Sequence, residues 1–106
     1  MKPQSVAPVL TSMDLERTIA WYAQLGFKVD FREPDFVILA AGTVELQFFL
    51  QAPPQPSNRM YLRVDDVQAL AQTFGMQAVR MPWGKLEFRL TDPDGALVRV
   101  GEPFVV

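Results

Sequence analysis

The feature that most constrains this chain is that its two halves say nearly the same thing. A short apolar run at residues 6–10 is followed by Asp14, an amphipathic stretch and Gly26. A second run, at residues 59–64, is followed by Asp66, another amphipathic stretch and Gly75. Leu15, Ile19, Tyr22 and Leu25 recur at helical spacing in the first half, and Val67, Leu70 and Phe74 do so in the second. Asp14 and Asp66 stand where a helix N-cap is wanted, and the two glycines where a left-handed residue closes a helix. Each helix is then followed by short extended segments: 27–32, 36–41 and 44–50 in the first half, 77–81, 86–90 and 96–100 in the second. A repeat of half the chain implies two paired modules rather than a solenoid.

A strand–helix–three-strand module covers one sheet face with its helix and leaves the other bare. Two modules curling their bare faces together make a cleft. The expected fold class is therefore α+β, with two βαβββ modules forming a curved mixed β-sheet cleft. It is expected as a single domain over residues 1–106, with modules at about 1–50 and 59–106. Residues 51–58, which carry three prolines and no apolar periodicity, read as a stiff connector. Pro8 has no N–H to donate, so the first strand is expected at a sheet edge or a bulge.

Composition narrows the chemistry. The chain has no cysteine and no histidine, which removes thiolate chemistry, the commonest metal ligand and the commonest general base. A net charge of −2 argues against nucleic acid as a partner. No apolar run approaches the roughly 20 residues of a membrane span, and the Met-Lys-Pro-Gln-Ser start does not read as a signal peptide. A cytoplasmic protein without nucleic-acid or membrane partners is expected. No phosphate-binding glycine loop or nucleophile elbow is present.

Alternation assigns the presented side chains. In segment 44–50, Val44, Leu46, Phe48 and Leu50 share one face, and Glu45, Gln47 and Phe49 the other. The 59–64 strand presents Arg59, Tyr61 and Arg63, with similar presentation near Glu87 and Arg99. These strands are expected to line one hollow that binds a small molecule.

The whole pattern resembles the vicinal oxygen chelate superfamily of glyoxalases, extradiol dioxygenases and bleomycin-resistance proteins. The segments that carry the resemblance are Ala-Pro-Val-Leu-Thr-Ser-Met-Asp-Leu at 7–15, Trp21-Tyr22 with Leu25-Gly26-Phe27, and Val-Glu-Leu-Gln-Phe-Phe at 44–49. In the second half they are Leu-Arg-Val-Asp-Asp-Val at 62–67, Pro82-Trp83-Gly84, and the run from Phe88 through Asp92-Pro93-Asp94-Gly95. The Ala-Pro-Val-Leu-Thr and Pro-Trp-Gly segments lean toward the bleomycin-resistance branch.

In metal-dependent members, the resemblance places one ligand on each of four strands. Here those positions read Ala7, Glu45, Arg59 and Arg99. Only Glu45 can ligate, because alanine has no donor atom and a guanidinium has no lone pair to offer. The resemblance therefore implies a metal-free binding protein with no cofactor and no catalytic residue. Its ligand would be a small molecule, with sequestration of a bleomycin-like antibiotic as the suggested role. The alternative is a metal-dependent lyase, isomerase or dioxygenase of the same superfamily. Small members usually form homodimers, so a homodimer is expected here.

On this geometry Glu45, Gln47, Phe49, Arg59, Tyr61, Arg63, Glu87, Arg89 and Arg99 face the cleft. Arginine forks would grip anionic or planar polar groups, while Tyr61, Phe49 and Trp83 would stack on flat rings. The competing reading is that Glu45 and Glu87 pair with Arg59 and Arg99 and satisfy one another. Phe31 and Phe36 flank a turn where relatives place aromatics along the drug groove, so they join the candidate ligand contacts. Trp83 reads equally as a gate at the cleft mouth or as packing. Asp92 and Asp94 read as turn residues, because the segment is too short for a calcium loop.

Overall fold

Each half begins with a strand that runs directly into a capped helix. The computed structural model describes residues 2–52 and 58–102. Pro53, Pro54 and Pro56 of the expected connector lie outside the described residues. The chain divides into two compact units, residues 1–56 and 57–106.

The first unit contains β1 (Val9–Ser12), α1 (Leu15–Ala23), β2 (Lys28–Glu33), β3 (Phe36–Ala41) and β4 (Val44–Leu50). The second contains β5 (Arg59–Arg63), α2 (Val67–Thr73), β6 (Val79–Arg80), β7 (Leu86–Thr91) and β8 (Leu97–Gly101). Their sheets follow the same path, β1-β4-β3-β2 and β5-β8-β7-β6. The first strand of each unit pairs parallel with its last strand, and the other pairings are antiparallel. The α+β class, the mixed sheets and the repeated strand–helix–three-strand order are therefore present.

The helices start where the caps predict. Asp14 accepts from the Arg17 amide and Asp66 from the Ala69 amide, each at 3.1 Å. Gly26 and Gly75 follow the helices with φ of +92° and +68°, values that a side chain would make costly. Two strands differ from expectation by more than one residue at an end. The first strand lies at Val9–Ser12 rather than 6–10. Proline cannot donate to the ladder, and Pro8 contributes only its carbonyl, which accepts from the Gln47 amide at 3.0 Å. The resulting strand stands at the edge of its unit's sheet. Segment 77–81 supplies only the two-residue β6, since the Ala78 amide donates to the Gln68 side chain at 3.2 Å and the chain turns at Pro82-Trp83-Gly84. That turn is closed by the Met81 amide donating to the Lys85 carbonyl.

The core of the first unit lies between α1 and one face of its sheet. Leu10, Val37, Leu39, Leu46 and Phe48 are buried there with Leu15 and Tyr22. The Tyr22 ring centroid stands 4.9 Å from that of Phe48. In the second unit Phe88, Leu90, Val98 and Val100 are buried with Val67 and Ala71 of α2. Apolar periodicity did not identify Thr18, which is fully buried and shares a 2.6 Å hydrogen bond with Ser12. No helix among the described residues is long and apolar enough to cross a membrane.

Candidate functional site

With one face of each sheet spent on its helix, the alternate residues of every strand stand on the other. In the first unit, register places Phe36 opposite Phe49, Ile38 opposite Gln47 and Ala40 opposite Glu45. Phe31 reaches the same face through a bulge. Val29 pairs with Leu39, yet Phe31 pairs with Ile38, so Asp30 is the extra residue. The bulge turns Phe31 toward Phe36, with ring centroids 6.4 Å apart, and Phe36 lies 4.6 Å from Phe49. Phe31 and Phe49 are each about half exposed, at 47% and 49%. Beside them the Gln47 amide donates to Glu45 Oε2 at 2.8 Å. The first unit thus presents an aromatic row ending in an amide–carboxylate pair.

The second unit presents cations. Tyr61 lies opposite Arg99 on one side of β8, and Arg89 lies opposite Arg99 on the other. Arg63 and Glu87 both lie opposite Gly101. Glu87 is the anchor, at 2% exposure. Arg99 Nη2 donates to its two oxygens at 2.9 and 3.1 Å, Arg99 Nε donates at 3.3 Å, and the Tyr61 hydroxyl donates to Oε2 at 3.2 Å. The guanidinium carbons of Arg99 and Arg63 stand 4.7 and 5.2 Å from the Tyr61 ring centroid, within cation–π range. Partial burial raises the Tyr61 pKa above the usual phenol value, and the neighbouring Glu87 carboxylate raises it further. Arg63 and Arg99 pull the other way without reversing the shift.

Gly101 makes this arrangement possible, a role that sequence reading missed. A β-carbon there would collide with the Tyr61 hydroxyl and lie 2.8 Å from Tyr61 Cζ and 3.2 Å from Glu87 Cγ. The missing side chain lets the Tyr61 ring cross β8 to reach a carboxylate on β7. An isolated glycine at the end of an apolar strand was the available signal.

Hollows open on this unit among its described residues. One, of about 270 Å³, is lined by Arg59, Met60, Tyr61, Leu97 and Arg99. Another, of about 310 Å³, runs along β6 and β7 and is lined by Met76, Gln77, Val79, Met81, Glu87, Phe88 and Arg89. The thioether and aliphatic part of that lining was also missed. Trp83 is half exposed in its turn and belongs to neither hollow.

The expected pairing of Glu87 with Arg99 is present, while Glu45 is held by Gln47. Within the second unit, no carboxylate among the described residues pairs with Arg59 or Arg89. No group of three or more aspartate, glutamate, histidine or cysteine side chains is placed to hold a metal among the described residues. The donor set at Ala7, Glu45, Arg59 and Arg99 does not fit a divalent ion, because it offers one carboxylate and two fixed cations.

Two mixed four-stranded sheets, each backed by one helix and each presenting a polar–aromatic open face, define a paired-module α+β protein. The model of the Glyoxalase/Bleomycin resistance protein/Dioxygenase superfamily matches residues 5–100, and the chain belongs to that superfamily. It is 32% identical over 110 aligned positions to a bleomycin resistance protein of Klebsiella pneumoniae, covering 88% of this chain and 87% of that one. A crystal structure of a bleomycin-binding protein complexed with bleomycin superposes with a TM-score of 0.80 at 27% identity, covering 96% of this chain and all of the other. The bleomycin resistance determinant encoded on transposon Tn5 superposes equally well, at 28% identity over 97% of this chain and all of that one.

Proposed function

We propose that this protein is a small-molecule binder that sequesters its ligand without transforming it, with a bleomycin-type antibiotic as the first candidate. The observation that carries this reading is the pair of open sheet faces, one aromatic and one cationic, in a member of a superfamily whose similar proteins are named for bleomycin resistance. Half-exposed aromatic rings supply flat contact area, and fixed arginines supply orientation. Sequestration needs affinity and abundance but no general base or nucleophile. The open faces offer neither a histidine nor a cysteine. A single 1–106 domain that acts as a cytoplasmic homodimer is part of the same proposal.

Calorimetric titration of the purified chain with metal-free bleomycin tests it, followed by mass spectrometry of the recovered drug. Saturable binding with the drug mass unchanged is expected. Absence of binding removes the antibiotic assignment, and a changed mass removes sequestration without chemistry.

A further inference from the structure

We infer that the 270 Å³ hollow of the second unit is built for an oxyanion, a carboxylate, sulfonate or phosphate group that forms one end of the ligand. This inference rests on the small-molecule reading above and is independent of the bleomycin candidate, whose charged groups are cationic.

The chain carries a net charge of −2, yet four of its ten basic side chains stand on one face of one small sheet. Among the described residues of the unit, Arg59, Arg89 and Arg99 there face one carboxylate, Glu87. That carboxylate is already committed, because Arg99 and Tyr61 take both of its oxygens. Arg89 sits directly across from Arg99, and like charges opposite one another destabilise a ladder. Arg59 stands at the near end of β5, exposed, with no carboxylate partner among the described residues of its unit. A cross-strand conflict of this kind is expected where function requires it. A bound anion would offset it.

The hollow itself supplies the geometry. Arg59 and Arg99 both line it, and guanidinium forks match planar or tetrahedral oxyanions. Glu87 fixes Arg99 through Nε and Nη2, so that group is oriented before any ligand arrives. Met60 and Leu97 complete the lining with apolar surface, which suits a compact hydrocarbon or aryl group beside the anion. The volume lies near the lower end of ligand pockets, about 300–1,000 Å³, so the hollow takes one end of a larger molecule.

The test is an NMR titration of the full chain with benzenesulfonate and, in parallel, benzyltrimethylammonium. Benzenesulfonate is expected to shift the amides of residues 59–63 and 97–101 saturably. Affinity should fall at least tenfold in Arg59→Gln, about 1.4 kcal/mol. The cation is expected to leave those amides unmoved. Arg59 is exposed, and an otherwise unchanged spectrum will show that the variant is folded. Equal binding of the cation at the same amides, or wild-type sulfonate affinity in the variant, overturns the inference. Bleomycin binding without any sulfonate response also overturns it while leaving the binding function standing. Sulfonate binding without bleomycin binding supports it and removes the antibiotic assignment.

Discussion

Glu87 and Arg99 are not equivalent halves of an ion pair. Glu87 is 2% exposed, whereas the Arg99 side chain keeps about a third of its surface in water. Removing Arg99 strands a buried carboxylate with one phenolic donor, whereas neutralising Glu87 leaves a guanidinium that can still hydrate. Arg99→Met should therefore cost about 2–3 kcal/mol and Glu87→Gln about 1 kcal/mol, read by urea denaturation. Equal costs would contradict this asymmetry. The Tyr61 phenol gives a second reading of the cluster. Its pKa is raised, so the folded chain holds that proton more tightly than the unfolded one. The stabilisation is complete below the unfolded value of about 10 and is lost as pH rises through the higher folded value. In a Tyr22→Phe background, where Tyr61 is the remaining tyrosine, ultraviolet titration should show ionisation later than in free tyrosine. Adding Glu87→Gln should bring it earlier. Gly101→Ala should cost about 1–3 kcal/mol, and much less when Tyr61 is already alanine, so a double-mutant cycle isolates the collision.

At the scale of the elements, the parts of the fold that were legible in the sequence are those set by local chemistry. Both aspartate caps and both closing glycines act where the residue pattern puts them, and β3 and β4 have the expected limits. Propensity alone could not place β6, which is confined to Val79 and Arg80 by the Gln68 side chain's hold on the Ala78 amide before it and the Pro82-Trp83-Gly84 turn after it. The Asp30 bulge was equally hidden, because strict alternation puts Val29 and Phe31 on one face and register puts them on two. The Asp92 turn is a local device whose worth can be measured. Asp92 Oδ1 accepts from the amides of Asp94 and Ala96 at 2.9 and 2.8 Å while the residue is 5% exposed. Asp92→Ala should cost about 2 kcal/mol and Asp92→Asn less than 1, since the amide oxygen can still accept. A thermal melt of the two variants separates them.

At the scale of the whole molecule, the chain spends one face of each sheet on stability and keeps the other for presentation. The buried faces are aliphatic and aromatic and rest on the helices. The open faces carry Phe31, Phe36 and Phe49 in one unit and Arg59, Tyr61, Arg89 and Arg99 in the other. Alternation made legible which face Gln47, Phe49, Tyr61 and Arg99 share with their neighbours, but not the bulged Phe31 or the burial of Glu87. How the presented side chains engage was not legible. Whether Glu87 is bound by Arg99, or Glu45 by Gln47, depends on side-chain reach across strands that a linear pattern does not encode. The proposed function places ligand on the open faces and not on the helix-covered ones. Amide chemical-shift mapping with bleomycin measures this most directly. Shifts are expected to concentrate at Phe36, Gln47, Phe49, Tyr61 and Arg99, with Tyr22, Thr18 and Ala71 unmoved. Shifts centred on α1 or α2, with the open faces silent, would contradict it.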